Sequence, residues 1–323
     1  MITLLSMILN MRLSILFFVL MAMFFQVNAQ KVKLNILKDA AYFLEGKDSI
    51  LVYRASDASL DGEFVRSNYV HPLFNLNGST ITEDFPEDHR HHRGVFWAWH
   101  QLYVGNTRIG DGWELKNFRW DVISMRQLKS ESKSTSLQTT VLWKSPLWLN
   151  DVGDEKSLVH ETTTISVYPK NNNVRIIDFQ IELLGLETDM KLGGSEDEKG
   201  YGGFSWRTKL PEDIQFFDNK EELEPQNLPI SGGAWLTMSG TMDSSGDLTQ
   251  LVIIPHKENP GYPNPWILRS KASMQNAVFP YPGAISVVLS TQNPTVLRYR
   301  LLISDGSIQQ KDIQKCQDSY FNK

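Results

Sequence analysis

The residues best suited to chemistry lie in one turn-rich stretch of the chain. Residues 72–101 contain four of the seven histidines, and positions 89–93 read HRHHR. Charged and imidazole side chains cost free energy when they are buried without partners, so this run is either solvated or lines a polar pocket. Phe96, Trp97 and Trp99 follow closely and place flat apolar faces beside the cationic groups. This combination favours a pocket for a sugar or a similar polar ring.

Within this stretch, His89 and His91 are candidates for acid–base chemistry. In an extended segment both side chains point to one side, and His92 points to the other. The pair could transfer protons or bind a metal ion, and the structural alternative is a solvated turn held by hydrogen bonds from histidine to the backbone. A metal site needs a third and usually a fourth ligand, and neither HExxH nor paired CxxC spacing occurs. We therefore expect no metal and no other cofactor, with a metal ion as the alternative.

A second cluster, residues 196–207, reads EDEKGYGGFSWR. It is not a phosphate loop, because both glycine-rich phosphate motifs are absent. Its glycines would allow the backbone to approach a ligand closely. Tyr201 is suited to proton transfer and Arg207 to carboxylate binding. A flexible surface turn is the structural alternative.

A third cluster, residues 256–269, reads HKENPGYPNPWILR. Its prolines restrict the backbone, which lowers the entropy lost in holding a site. His256 directly follows an apolar strand, where a side chain commonly faces a cleft. Asn259, Trp266 and Arg269 are residue types suited to sugar contact, and a rigid connection between strands is the structural alternative.

Alternating apolar and polar residues predict the strands that must position these clusters. The predicted strands cover residues 31–37, 135–144, 161–168, 174–184, 251–255, 285–290 and 296–303. One helix is predicted over residues 307–315. Many antiparallel strands without a βαβ rhythm predict a large all-β sandwich, and residues 30–323 are expected to form a single domain.

The ends and the composition limit where the protein acts. The apolar run of residues 13–27 follows Arg12, and the small residues Val27 and Ala29 predict a signal peptide, residues 1–29, that is cleaved after Ala29. No later segment approaches the length of a membrane-spanning helix. Cys316 is the only cysteine, so intrachain disulfides are impossible. Export without disulfides indicates a bacterial periplasm, with secretion as the alternative. The net charge of -5 argues against nucleic-acid binding.

In this order, the three clusters resemble the PmoA-like family of exported bacterial proteins. Members carry a DHxHHRG segment, a GYGG segment followed by arginine, and an HxxNP segment followed by tryptophan and arginine. The matching positions are residues 88–94, 200–207 and 256–269, and the resemblance covers roughly residues 53–302. It implies a carbohydrate site on a mutarotase-like supersandwich with few short helices. One type of member is an ulvan oligosaccharide dehydratase, which removes water from a non-reducing-end uronic acid.

The resulting hypothesis is a dehydratase that acts on a terminal glucuronic or iduronic residue of an anionic oligosaccharide. The C5 proton is weakly acidic, so a cation must neutralise the adjacent carboxylate and stabilise the enolate. The candidate cations are Arg93, Arg207 and Arg269. Histidine is suited to both proton transfers, and His91 and His256 are assigned to them, with Tyr201 as the alternative acid or base. The remaining expected substrate contacts are His89, His92, Trp97, Trp113, Asn259 and Trp266.

Four other functions remain open at this point. A sugar hydrolase would need two opposed carboxylates, and no opposed pair stands out among the candidates Glu83, Asp84, Asp88, Glu114 and Glu161. An epimerase would need similar proton transfers on the same type of β-sandwich. A periplasmic sugar-binding module would show affinity without turnover, and a copper or other metal redox enzyme would rest on the histidine cluster.

Overall fold

Antiparallel strands form most of the regular structure. A computed structural model of the protein describes residues 31–129, 133–243 and 245–322, and the predicted signal peptide lies outside them. The strands, in chain order, are β1 (Val32–Ile36), β2 (Ala40–Glu45), β3 (Asp48–Arg54), β4 (Ala58–Leu60), β5 (Glu63–Arg66), β6 (Tyr69–Leu73), β7 (Val95–Trp99), β8 (Gln101–Val104), β9 (Thr107–Gly110), β10 (Arg119–Leu128), β11 (Thr135–Leu149), β12 (Glu155–Val167), β13 (Val174–Gly185), β14 (Met190–Gly193), β15 (Gly202–Trp206), β16 (Gln215–Phe217), β17 (Glu222–Leu223), β18 (Ile230–Ser231), β19 (Leu236–Gly240), β20 (Thr249–Pro255), β21 (Pro265–Ile267), β22 (Gln275–Val278), β23 (Val287–Val288) and β24 (Thr295–Asp305). A helix, α1, spans Gln310–Phe321.

Two large sheets carry most of these strands. The first sheet has the order β1-β2-β3-β6-β7-β15-β22-β21-β18, and the second has the order β10-β11-β12-β13-β24-β20-β19-β16-β17. A smaller sheet, β23-β14-β8-β9, and the hairpin β4-β5 complete the set. Neighbouring strands pair antiparallel, as between β12 and β13 and between β7 and β15. The prediction of a large antiparallel all-β sandwich is confirmed.

Aromatic side chains from both sheets meet in the core between them. Phe204 of the first sheet stacks on Tyr299 of the second at 4.3 Å between ring centroids, and Trp99 lies 5.6 Å from Trp143. In β13, buried and partly exposed residues alternate along the strand. This alternation arises because one face of the second sheet packs on the core and much of the other faces outward.

The strand predictions succeeded where alternation was present. Residues 135–144, 161–168 and 174–184 all lie largely within strands, whereas residues 285–290 contain only the short β23. The helix begins and ends later than predicted, and it covers part of the outer face of the second sheet through Ile313 and Tyr320. In the described part of the chain, no helix is long and apolar enough to cross a membrane.

The strand β7 was missed because all five of its residues are buried. A strand that is covered on both faces reads as a continuous apolar run and not as an alternation. Trp97 points into the core, where it contacts the second sheet, and the neighbouring Phe96 lies beneath the segment that carries the histidines. We expected the aromatic residues of β7 to line the pocket. They lie beneath it instead and support the residues that line it.

A fully buried carboxylate, Glu161 of β12, connects the two sheets. It accepts hydrogen bonds from the indole nitrogens of Trp97 at 2.9 Å and Trp143 at 2.8 Å, and from Asn68 and Thr163. Burial raises the pKa of this carboxyl group, and the four hydrogen-bonding side chains oppose that rise. Glu161 is thus part of the core and not a pocket carboxylate.

We predict that Glu161→Ala destabilises the protein by about 3 kcal/mol or more, because each buried donor that it leaves without an acceptor costs about 1–3 kcal/mol. Urea unfolding followed by tryptophan fluorescence measures the change. The control is Glu182→Ala on the partly exposed face of the adjacent β13, which should cost less than about 1 kcal/mol. Equal unfolding midpoints for the two variants would contradict the role given to Glu161.

Candidate functional site

A pocket of about 200 Å³ lies where the histidine segment meets the loops before β15 and β22. Its lining brings together imidazoles, a phenol, a carboxylate and an ammonium group. The lining residues are His89, His91, His92, His100, Trp113, Glu114, Lys199, Tyr201, Ser273 and Met274. Five residues that the sequence assigned to the site are therefore neighbours: His89, His91, His92, Trp113 and Tyr201.

Arg207 holds the segment that carries the histidines, residues 83–94. Its Nε donates to Glu83 at 2.7 Å, and its two Nη atoms donate to Asp88 at 2.8 and 2.7 Å. Asp88 also lies 2.9 Å from Nδ1 of His89. Arg207 is buried and already paired with two carboxylates, so it holds the histidine segment and lies outside the pocket lining.

Glycines in the predicted motifs allow close contact between backbone segments. Gly94 has a positive φ of 48°, and a Cβ atom there would lie 2.1 Å from the carbonyl oxygen of Val70. At Gly200, which also has a positive φ, a Cβ would lie 2.7 Å from Cα of Gly283. Both sites therefore require glycine for packing. The expected approach of the backbone to a ligand at Gly200 is instead an approach to another part of the chain.

The imidazole rings of the pocket pack directly on one another. His89 stacks on His92 at 4.7 Å between centroids, and His91 meets His92 edge-on at 4.5 Å. Burial lowers the pKa of His91 to about 4, and the neighbouring His89 and Arg66 act in the same direction, while Glu114 opposes them. His91 is therefore neutral at physiological pH. Oε1 of Glu114 lies 3.8 Å from its Nε2 atom.

His92 is a structural member of this group. It is only 2% exposed, and its Nδ1 atom has no hydrogen-bond partner among the described residues. Burial, together with His91 and His89, lowers the pKa of His92 well below its usual value. Its ring lies between His89 and the aromatic side chains Phe96 and Trp113, so it supports the pocket wall.

Trp113 is the aromatic centre of the pocket. It contacts His92, stacks on His100 at 5.3 Å and lies 5.6 Å from Tyr201. Asp111 fixes this arrangement, because its Oδ1 accepts from the backbone N–H of Trp113 while its Oδ2 lies 3.0 Å from Nδ1 of His100. The sequence prediction of Trp113 as a pocket residue agrees with this placement.

Arg269 reaches the pocket through Tyr201. Its Nη2 donates to the Tyr201 hydroxyl at 2.6 Å, and its Nη1 donates to the carbonyl oxygen of Gln226 at 2.6 Å. Among the described residues, no carboxylate lies within ion-pair distance of this guanidinium. Burial raises the pKa of Tyr201, although Arg269 opposes the rise, so the phenol is protonated at neutral pH.

Three residues predicted to contact substrate are buried away from the pocket. Arg93 is fully buried and forms an ion pair with Asp84. Trp97 is committed to Glu161, as described above. Trp266 is 1% exposed and packs so closely on residue 232 that a Cβ atom at that glycine would lie 2.2 Å from its ring. Their types suggested substrate contact, but all three are occupied by contacts within the fold.

His256 and Asn259 lie on another part of the molecule. His256 lines a separate cleft of about 640 Å³ on the second sheet and contacts Tyr320 of α1 at 5.0 Å between centroids. The side chain of Asn259 donates to the carbonyl oxygen of Arg298 at 2.8 Å and accepts from its N–H at 2.7 Å. The amide thus hydrogen-bonds to β24 as the backbone of a neighbouring strand would. The prediction that these residues join the histidine pocket is corrected.

The pocket is also lined by residues outside that set of five: His100, Glu114, Lys199, Ser273 and Met274. Of these, Glu114 was considered only as a carboxylate for hydrolysis. His100 follows β7 directly, so the rule that strand ends face clefts could have found it once β7 was recognised. No sequence signal marks Ser273 or Met274, because they reach the pocket through the pairing of β22 with β15.

We predict that His91 contributes to the loss of stability in acid. Its pKa is about 4 in the folded protein and about 6.5 in the unfolded chain, so its stabilising contribution is complete above pH 6.5 and is lost as the pH falls towards 4. Between these two pH values, the free energy of unfolding contributed by His91 falls by at most about 1.4 kcal/mol per pH unit. Chemical unfolding at several pH values should show a shallower decline for His91→Gln than for the wild type, and parallel declines would contradict the assignment.

Solved structures resemble this protein only distantly. No curated protein matches this chain in sequence. YeaD from Salmonella typhimurium, provisionally described as a mutarotase, is 10% identical with a TM-score of 0.39, covering 85% of this chain and 94% of its own. The GH36 α-galactosidase AgaA from Geobacillus stearothermophilus is 11% identical with a TM-score of 0.27, covering 86% of this chain. The chain spans 41% of the galactosidase. Similarities at this level establish no shared activity.

A family match covers most of the chain. Residues 43–318 match the family of unknown function DUF6807. The matched range includes both large sheets apart from β1 and the start of β2, and it includes every residue that lines the histidine pocket. The protein therefore belongs to DUF6807.

Proposed function

We propose that the protein is a carbohydrate-active lyase that eliminates water from the terminal uronic acid of an anionic oligosaccharide and leaves a 4,5-unsaturated uronate. One observation carries this proposal: a neutral imidazole and a protonated phenol line one pocket, and a guanidinium without a carboxylate partner donates to that phenol. These are the three groups that such an elimination needs. The similarity to PmoA-like proteins noted in the sequence is consistent with this reaction, and export to the periplasm remains part of the proposal.

Arg269 neutralises the substrate carboxylate. Its hydrogen-bond partners are the Tyr201 hydroxyl and backbone carbonyl oxygens, all of which are uncharged. Its positive charge is therefore uncompensated until an anion arrives, whereas Arg93 and Arg207 each have a carboxylate already. Pairing with Arg269 lowers the cost of forming the enolate at the carbon next to the carboxylate.

His91 takes the proton from C5. Its imidazole is neutral at physiological pH, and only this form can accept a proton. Once His91 becomes an imidazolium, Glu114 stabilises it from 3.8 Å. The C5–H bond breaks, and its electron pair passes into the enolate of the substrate.

Tyr201 gives a proton to the departing C4 oxygen. Arg269 donates to the phenol oxygen, which leaves the phenol proton free for transfer and stabilises the phenolate that forms. The C4–O bond breaks, the C4=C5 double bond forms, and one water leaves. Proton exchange with solvent then returns His91 and Tyr201 to their starting forms. This assignment replaces His256, which lies on the second sheet.

The size of the pocket and the number of its carboxylates favour elimination at a terminal sugar over glycoside hydrolysis. A volume of about 200 Å³ suits a single sugar ring, which favours action at a chain end. Among the described lining residues, Glu114 is the one carboxylate, whereas glycoside hydrolysis usually needs two. The other carboxylates considered are used by Arg207, Arg93 or the core. Epimerisation at C5 would use the same base and acid without loss of water, so it is the second candidate.

We predict that the purified protein, mixed with oligosaccharides that end in a saturated uronic acid, produces the ultraviolet absorbance of a conjugated unsaturated uronate. Mass analysis should show loss of one water without shortening of the chain. Absorbance with shortening would indicate a polysaccharide lyase. Exchange of the C5 hydrogen with solvent deuterium, without absorbance, would indicate an epimerase. Binding without either change would indicate a sugar-binding module and overturn the proposal.

Single substitutions in the pocket should lower kcat, whereas a matched substitution outside the pocket should not. Tyr201→Phe and His91→Gln are each expected to lower kcat by about 10²-fold or more, because each removes a proton-transfer group. The matched control is His256→Gln, which changes a buried histidine outside the pocket and should keep wild-type kcat. Thermal unfolding of all three variants checks the fold. Loss of activity in His256→Gln alone would move the site to the second sheet.

A further inference from the structure

Arg66, the last residue of β5, is a buried cation that lacks the partners such a group normally has. It is 1% exposed, and its three guanidinium nitrogens find no hydrogen-bond partner among residues 31–129, 133–243 and 245–322. Its Cζ atom lies 4.5 Å from the ring centroid of Phe96 and 4.3 Å from that of Trp120. Contact with two aromatic faces stabilises the cation, but it does not neutralise the charge.

The nearby carboxylates are engaged elsewhere. Glu161 accepts hydrogen bonds from both sheets, and Asp84 is paired with Arg93. The pKa of Arg66 is lowered to about 9 by burial and by the like charge of Arg93, so Arg66 is still protonated at neutral pH. An unpaired charge in a protein interior acts on its neighbours more strongly than the same charge in water does.

The Phe96 ring connects Arg66 to the histidine pocket. The Phe96 ring on which Arg66 rests also contacts His92 at 6.1 Å and Trp113 at 5.5 Å, and His91 lies 4.5 Å from His92. A proton added to the pocket would therefore create a second positive charge close to the first. Like charges oppose such protonation.

The other groups around His91 do not remove this effect. Glu114, at 3.8 Å, is the carboxylate that favours protonation of His91. His89 and His92 face it from its own segment, His100 faces it from the end of β7, and Lys199 and Tyr201 line the same pocket in front of β15. Lys199 adds a further positive charge, and none of the other groups named here is a carboxylate.

We propose that Arg66 is a positioning residue whose buried, unpaired guanidinium acts together with burial to disfavour protonation of the His91 imidazole. Its importance for catalysis rests on the proposed function, because His91 is the base there. Its electrostatic effect on His91 does not rest on any activity. The two parts can therefore be tested separately.

The test is a pH titration of the histidine ring protons by NMR, in the wild type, Arg66→Met and Arg66→Lys. In Arg66→Met the titration midpoint of His91 should rise by at least about 0.5 pH unit, because the opposing charge is gone. In Arg66→Lys, which keeps the charge, it should stay close to the wild-type value. His256 serves as the internal reference, and its midpoint should not move in either variant.

An unchanged His91 midpoint in a folded Arg66→Met protein overturns the proposal. Equal shifts of His91 in both variants also overturn it, because they would indicate a packing role. We expect Arg66→Met to fold, since replacing a buried charge with an apolar side chain of similar size is often neutral or stabilising. Arg66→Gln, which is also uncharged, gives the same test. If His91 shifts as expected and no unsaturated uronate is formed, the proposed function fails and the role of Arg66 stands.

Discussion

The carboxylate of Glu161 lies between the two sheets, and the arrangement of the whole site depends on its hydrogen bonds. It accepts from Trp97 of β7 and from Trp143 of β11, so it fixes how the first sheet faces the second. Successive side chains of a strand point to opposite faces of the sheet. Because Trp97 points towards the second sheet, Phe96 points to the opposite face, where it is also buried. Phe96 then supports His92, and through it the other imidazoles of the pocket. A polar group deep in the core thus determines where the histidines lie.

The roles of the arginines follow from their partners. Arg93 and Arg207 are paired with carboxylates inside the fold, and each fastens one part of the histidine segment. Arg269 contacts only uncharged oxygens, which leaves its charge available to a ligand. Arg66 has aromatic neighbours and no hydrogen bonds among the described residues. Arginine therefore occurs here in carboxylate pairs, as a cation with only uncharged partners and as a buried charge, and its surroundings make the difference.

Sequence patterns predicted the parts of this structure that depend on local order. Alternation located β11, β12 and β13, and the density of histidines located the pocket. Alternation could not find β7, which is covered on both faces. It also could not tell that His256 follows a strand of the other sheet, or that carboxylates from residues 83–88 would reach Arg207. These facts depend on contacts between residues far apart in the chain, more than a hundred positions apart for Arg207, and the local sequence carries no record of them.

The pocket has a further consequence for how the chain acquires its activity. The proposed base is at position 91, the proposed acid at 201 and the proposed carboxylate-binding arginine at 269, and β15 and β22 must pair before the last two approach the first. Such long sequence separations make site formation a late event in folding, because each closure of a long loop costs entropy before any contact repays it. A partly folded chain would therefore hold its histidines without a partner acid. The proposed site is therefore complete only when the sandwich has formed.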